Sequence, residues 1–434
     1  IVRTVSPHLA LMIDTKGPEV RTTGCAEPIE YKTGDVVKIF GRPGMDSSHD
    51  NVNVSYIDFA KHVKVGDHVL FDDGELDMLV IDNNGPMLVA QVQNDGVLGA
   101  HKSVNVPGEH IALPAITQKD HDNILLAIEE DIDFIAHSFV RSADDVLAIQ
   151  KILDEHNSDI KIISKIENQE GVDNIDEIID ASYGIMIARG DLGIEVPIEQ
   201  IPGIQRQIIR KCVMKKKPVI VATQMLHTMI KNPRPTRAEV TDIANAIYSY
   251  TDALMLSGET ASGKYPLEAV QTMAAIAEQA EKDRSALGDY EVPMNENCSQ
   301  REFLAHAAIE ATKTLGVAGI ITDSLTGETV RHLAAFRGPN PILAICYKEK
   351  TQRWLNLSFG VIPVHQKEHA PAAYMFTAAL RMLRQKGYIG SDDKIAYLSG
   401  SFGLGNPTGT TFLEINKVSQ VFDKSYEFHL PNKE

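Results

Sequence analysis

A lysine and a carboxylate two residues apart carry the first sign of chemistry in this chain. In Ile162-Ile163-Ser164-Lys165-Ile166-Glu167-Asn168 an apolar run ends in Lys165 and Glu167. A β-strand has a side-chain period of two, so both would point the same way. An ammonium held beside a carboxylate suits a metal site with a fixed positive charge next to it; a surface ion pair at a strand end stays open on these residues alone. A second run, Ile187-Ala188-Arg189-Gly190-Asp191-Leu192-Gly193, ends in another acid, with glycines that let backbone N–H groups approach an anion. Glu167 and Asp191 match the habit of Mg²⁺, which takes one or two carboxylates and completes its shell with water and substrate. The plainer alternative is that Asp191 closes a turn.

Asp14-Thr15-Lys16-Gly17-Pro18-Glu19-Val20-Arg21 is dense in charge. Arg21 can bind a phosphate and Asp14 can ligate a cation, although the stretch also reads as a solvated hinge. Thr223 and Ser257 each follow an apolar run, where a hydroxyl can relay a proton, bind a carboxylate or simply cap. Gly258-Glu259-Thr260-Ala261 then opens a helix, whose N-terminus favours anions.

Six short runs rich in Ile, Val, Leu or Met must position these groups: residues 9–13, 133–136, 160–164, 184–188, 218–221 and 253–256. Each stops abruptly at polar residues, as strands buried on both faces do. Helical spacing lies between them, over 142–157, 200–217 and 240–250. Ser142 with Asp145 forms a possible cap pair, and Thr236 with Glu239 has capping-box spacing. Alternating strand and helix, with polar residues at the strands' C-terminal ends, predicts an α/β (β/α)₈ barrel. Six strands are visible where eight are needed, so the first two βα units are expected to be absent from this chain.

Residues 22–112 read as a small inserted β domain, with runs at 35–40, 68–71, 78–81 and 87–93 separated by turn residues such as Asp73-Gly74. An insertion on the catalytic face often acts as a lid. The barrel would therefore be 1–21 plus 113–283. Residues 284–434 read as a second α/β unit with a doubly wound sheet. There, Thr326-Gly327-Glu328-Thr329 before a helix and the Gly/Thr-rich stretch 400–411 can each cradle a phosphate, or serve ordinary turn and cap chemistry.

The net charge of −17 argues against a nucleic-acid partner, whose phosphates need a basic surface. No segment is long and apolar enough to span a bilayer, and the start carries no signal-peptide pattern. The four cysteines are scattered singly and read as reduced cytosolic thiols.

Residues 160–172, centred on Lys165-Ile166-Glu167-Asn168, resemble the active-site signature of the pyruvate kinases. Residues 14–21, 104–120, 188–195, 222–226, 232–240 and 255–263 resemble that family in the same order. The resemblance implies phosphoryl transfer from phosphoenolpyruvate to ADP, giving pyruvate and ATP, with Mg²⁺ or Mn²⁺ and K⁺, in a cytoplasmic homotetramer. It implies that Lys165 stabilises charge on the phosphoryl group and the enolate, and that Glu167 and Asp191 ligate Mg²⁺. The backbone of Ala188, Arg189, Gly190 and Asp191 and the Thr223 hydroxyl would hold the substrate carboxylate. Thr223 and Ser257 would lie on the proton path. Arg21, Lys102 and Asp73 would serve the nucleotide, and Asp14 and Thr15 would bind K⁺. Members with Glu at the position of Glu19 depend on K⁺, so K⁺ dependence is expected. Thr326, Gly327 and Thr329 would form an effector site. Glu328 there opposes phosphate, which argues against a bisphosphate activator and leaves another sugar phosphate open.

The family's upstream strand supplies an arginine and two K⁺ ligands. About 50–70 residues, two βα units, are thus expected ahead of this sequence, and the 434-residue chain is expected to be inactive or nearly so. Two other classes fit less of the sequence. A Mg²⁺-dependent enolate-forming lyase or aldolase does not explain the inserted β unit, and a non-catalytic sugar-phosphate binder does not explain Lys165, Glu167, Asp191 and Thr223 together.

Overall fold

The computed structural model describes residues 1–109, 111, 113–287, 291–367, 372–400, 410 and 412–423. The six apolar runs form one parallel sheet in chain order: Met12–Asp14, Phe134–His137, Lys161–Ile166, Gly184–Ala188, Val219–Ala222 and Ala253–Leu254. Their register puts Ile135 opposite Ile162, Lys165 opposite Met186 and Ala188 opposite Ala222. Helices cover the outer face. On the inner face Phe134, Ala136, Ile163, Met186, Ile220 and Ala222 pack on one another and on Trp354. The four middle strands are buried on both faces, which is why they are apolar at nearly every position. The first strand starts three residues later than its sequence suggests. Leu9 is exposed, because this outermost strand pairs on one side only and covers less of its own surface.

The helix caps divide by the competition for each acid. Thr236 and Glu239 form the expected capping box at the start of Arg237–Tyr248. Ser142 makes no cap bond at the start of Ala143–Glu155. Its expected partner, Asp145, instead accepts from the Arg141 backbone N–H at 2.9 Å and from the Arg141 guanidinium at 3.1 Å. A guanidinium is the stronger partner for a carboxylate.

The inserted β unit has its own core, including Tyr31, Ile39, Phe59, Phe71 and Met78. Its seven-stranded sheet takes in Val20–Arg21 and Ser103–Asn105, paired antiparallel, so the chain leaves and re-enters the barrel side by side. A short helix, Phe59–His62, was not foreseen. The third unit has strand order Val361–His365, Ile342–Cys346, Gly319–Ser324, Lys394–Ser399, Phe412–Lys417. The order reverses beside Gly319–Ser324, the mark of a doubly wound sheet. The antiparallel edge strand Phe412–Lys417 is an addition to the expected elements.

Acids at the starts of the barrel strands tie this third unit to the barrel. Arg337 grips Asp252 at 2.9 and 2.7 Å, with side chains 2% and 4% exposed. Asp252 also accepts from the backbone N–H groups of Val219 and Phe359. Arg353 reaches Asp133 at 2.6 Å and Asp131 at 3.0 Å. Arg337→Ala strands a buried carboxylate and should cost about 3 kcal/mol or more of unfolding free energy in urea. Lys211→Ala, which removes an exposed partner of Asp176, should cost less than about 1 kcal/mol; equal effects would contradict this account of the junction.

Candidate active site

Lys165 and Glu167 leave the Lys161–Ile166 strand on the same side, as the two-residue period requires. Lys165 Nζ lies 3.0 Å from Glu167 Oε1 and 3.2 Å from Asp14 Oδ2, and donates to Ser138 Oγ at 2.8 Å. Three acceptors thus meet one ammonium. Burial works against its charge, but Glu167 and Asp14 outweigh burial and hold its pKa above the ordinary lysine value. Glu167 is only 1% exposed. Burial pushes its carboxyl up to about 7, against the pull of Lys165, and the neighbouring Asp191 adds to the rise. Asp191 follows the next strand; burial raises its pKa too, and its carboxyl lies within hydrogen-bonding reach of Glu167. Among the described residues no group of three or more His, Cys, Asp and Glu could hold a metal ion. Two adjoining acids that burial leaves short of stabilisation, with room for other oxygens, fit a divalent ion that also takes substrate ligands.

The second oxygen of Glu167 accepts from the Phe139 backbone N–H at 2.7 Å. Phe139 adopts a left-handed conformation, φ +56°. Gly17, in the hinge to the inserted unit, sits against this turn with φ +71°. A Cβ there would stand 2.9 Å from Phe139 Cδ2 and 3.0 Å from Ser138 Cβ, so both backbone angle and space require glycine.

The short helix Arg189–Glu195 starts directly from its strand. The Gly190 N–H donates to Thr223 Oγ1 at 2.7 Å, and that hydroxyl donates to Ala222 O at 2.7 Å. Thr223 has φ +70° and Gln224 φ +53°. A left-handed β-branched residue is strained, and such strain collects at functional sites. Arg189 turns its side chain into the protein, donating to Asp242 at 2.7 Å and to Thr223 O at 2.8 Å. Of Arg189, only the backbone is left for an anion. Ser257 precedes the helix Gly258–Ala261, and its N–H donates to Glu259 Oε2; Glu259 Oε1 accepts from Leu226 N–H, which joins the Thr223 and Ser257 loops.

A cavity of about 460 Å³ opens between barrel and inserted unit, lined by Arg21, Asp73 and Asp191 among others. Arg21 binds Glu19 at 2.7 Å, and Lys16 binds the same carboxylate at 2.8 Å. Lys102 stands apart from the expected trio: its ammonium pairs with Asp72 at 2.8 Å, and it does not line this cavity. The Asp73 carboxylate accepts from Ser103 Oγ instead, in a turn with φ +56° that separates neighbouring acids. Asn105 donates to Glu195 at 2.9 Å, a direct link from the inserted unit to the barrel.

In the third unit the Gly327 N–H donates to Ser324 Oγ, and the hydroxyls of Thr329 and Thr410 are hydrogen-bonded at 2.7 Å. Thr326 O accepts from Arg331 at 3.4 Å. Glu328 is paired with Arg301, so its charge is answered locally rather than left to face a phosphate. Residues 401–409 and 411 of the Gly/Thr-rich stretch lie outside the described residues. Three groups at the main site escaped sequence reasoning: the Ser138 hydroxyl, the Phe139 N–H and the carboxylate of Asp120, which accepts from Lys16 N–H at 2.8 Å. The available signals were the polar pair His137-Ser138 at a strand end and the capping spacing of Thr117 with Asp120.

Residues 1–270 match the family model described as pyruvate kinase, barrel domain, and residues 302–415 match that of its alpha/beta domain. The pyruvate kinase of Borreliella burgdorferi is 47% identical over 423 residues, covering 97% of this chain and 88% of that protein. That of Clostridium acetobutylicum is 42% identical over 411 residues, covering 93% and 85%. The crystal structure of a pyruvate kinase from Cryptosporidium parvum aligns with a TM-score of 0.87 at 36% identity, over 96% of this chain and 86% of that one. With its barrel and alpha/beta domains both matched and relatives 42–47% identical over more than nine-tenths of it, the chain belongs to the pyruvate kinase family.

Proposed function

We propose that this chain carries the site at which the phosphoryl group of phosphoenolpyruvate passes to ADP, giving pyruvate and ATP, with turnover by the 434 residues alone expected to be slow. One observation carries the reading: Lys165, Glu167 and Asp191, from consecutive strands, converge at one end of the sheet. Phosphoryl transfer asks a protein for positioning and charge neutralisation more than for covalent chemistry. Lys165 meets the charge of the transferring phosphoryl group and of the enolate that remains. Glu167 and Asp191 would hold Mg²⁺ or Mn²⁺, and Asp14 with Thr15 would hold K⁺; these are oxygen donors suited to hard cations. Bound there, the cations would add positive charge against the phosphoryl and enolate oxygens.

The backbone of Ala188, Arg189, Gly190 and Asp191, with the Thr223 hydroxyl, receives the substrate carboxylate. Arg189 supports this cradle by clamping Thr223 O. Thr223 and Ser257 lie on the path that brings a proton to the enolate carbon, a step that needs a nearby acid or ordered water. Arg21, Lys102 and Asp73 serve the nucleotide as the inserted unit closes, and that closure keeps water from the phosphoryl group. The chain divides functionally into a barrel of 1–21 and 113–283, a lid of 22–112 and a unit of 284–434. In the last, Thr326, Gly327 and Thr329 take a sugar-phosphate effector. A cytosolic homotetramer belongs to the same reading.

Pyruvate release from phosphoenolpyruvate and ADP tests the activity. A phosphoenolpyruvate-dependent rise in the unfolding temperature tests binding even where turnover is slow. A chain showing neither would sink the assignment. Lys165→Met should lower kcat by about 10²–10³-fold, the scale of losing one preorganised charge-stabilising donor. Glu167→Gln should weaken Mn²⁺ binding, read by electron paramagnetic resonance without turnover, by more than about tenfold; even outer-shell partners of a metal carry that much. Replacing K⁺ with Na⁺ or Tris should abolish most activity; full retention would show that Glu19 does not mark K⁺ dependence.

A further inference from the structure

We infer that Ser138 is a positioning residue for the reaction, holding the Lys165 ammonium in place through a hydroxyl shared with Asp14 and Thr15. The inference rests on the phosphoryl-transfer reading for its consequence but not for its geometry. Ser138 is 2% exposed. Its Oγ accepts from Lys165 Nζ at 2.8 Å and has one proton to give, with Thr15 O at 2.7 Å and Asp14 Oδ1 at 3.2 Å as acceptors. The Ser138 N–H donates to Thr15 Oγ1 at 3.0 Å, so backbone and side chain both bind the first strand's exit. The next residue, Phe139, gives its N–H to Glu167.

The two-residue turn Ser138-Phe139 therefore grips both members of the Lys165–Glu167 pair. A flexible four-carbon stem does not hold an ammonium at one point without fixed acceptors. Glu167 and Asp14 supply two, and both are the groups proposed for cations. When cations draw those carboxylates, Ser138 is the neutral acceptor left to Lys165. It contacts the lysine rather than the reacting atoms. Its removal should thus loosen the ammonium while leaving the other groups proposed to bind substrate in place. A misplacement of about 1 Å can cost about a hundredfold in rate.

The test compares the unsubstituted chain with Ser138→Ala and Ser138→Cys. Cysteine fills the space without a strong acceptor, so an effect shared by both variants belongs to the hydroxyl and not to a cavity. With Mg²⁺ and K⁺ present, kcat should fall about 10–100-fold, while phosphoenolpyruvate affinity by calorimetry stays within about threefold. Lys165 labelling by an amine reagent, mapped by mass spectrometry in the apo chain, should quicken at least about threefold in both variants, in line with a lost charge-assisted hydrogen bond. Unchanged labelling overturns the assignment of Ser138. If the unsubstituted chain binds no phosphoenolpyruvate, the phosphoryl-transfer reading fails, and labelling still decides whether Ser138 holds Lys165.

Discussion

A carboxylate buried to 1% exposure is costly to keep ionised, and Glu167 is in that condition at one end of the barrel sheet. Its burial alone lifts the carboxyl toward neutrality. The Lys165 ammonium at 3.0 Å and the Phe139 N–H at 2.7 Å pull it back. Asp191, itself raised by burial, crowds the same space. The result is a pocket of negative charge with too little internal compensation, which is the electrostatic condition for taking a divalent cation. Much of the surrounding structure keeps that condition intact: the left-handed Phe139, the glycine hinge against it, and Asp14 and Ser138 on the far side of the ammonium.

The same logic of paired burial operates at the opposite end of the strands. There Asp133 and Asp252 are nearly fully enclosed, and Arg353 and Arg337 of the third unit meet them. Trp354 closes the interior against Phe134, Ile163 and Ile220, with Lys161 Nζ 4.4 Å above its ring. The α/β unit is therefore a structural floor to the barrel as well as a candidate effector module. One end of the sheet is neutralised by protein cations. The other is left partly unneutralised, and that end carries the candidate chemistry.

Periodicity made the central pair readable before any coordinates. Two residues apart on a strand means the same side, and Lys165 with Glu167 needed nothing more. Strand adjacency in chain order brought Asp191 beside them. The box at Thr236 was legible because both partners are local. The pair Ser142–Asp145 misled because a guanidinium one residue upstream took the acid. At the turn Asp72-Asp73 one acid meets Lys102 and the other meets Ser103, a division that a sequence does not give. The strand Phe412–Lys417 was hidden because an edge strand with mixed burial lacks a continuous apolar run.

By itself, the sequence determined the α/β class, the six strands of the sheet and the meeting of Lys165 with Glu167 on one side of a strand. These follow from local spacing and hydrophobic pattern, which are properties of a chain. Only the tertiary structure decided which acceptors surround the ammonium, that Ser138 joins them from 27 positions away, that Arg189 turns inward, and that Glu328 is answered by Arg301. Those outcomes depend on competition among polar groups brought together from distant segments. Such a contest is settled by distance and burial in space, and linear order contains neither.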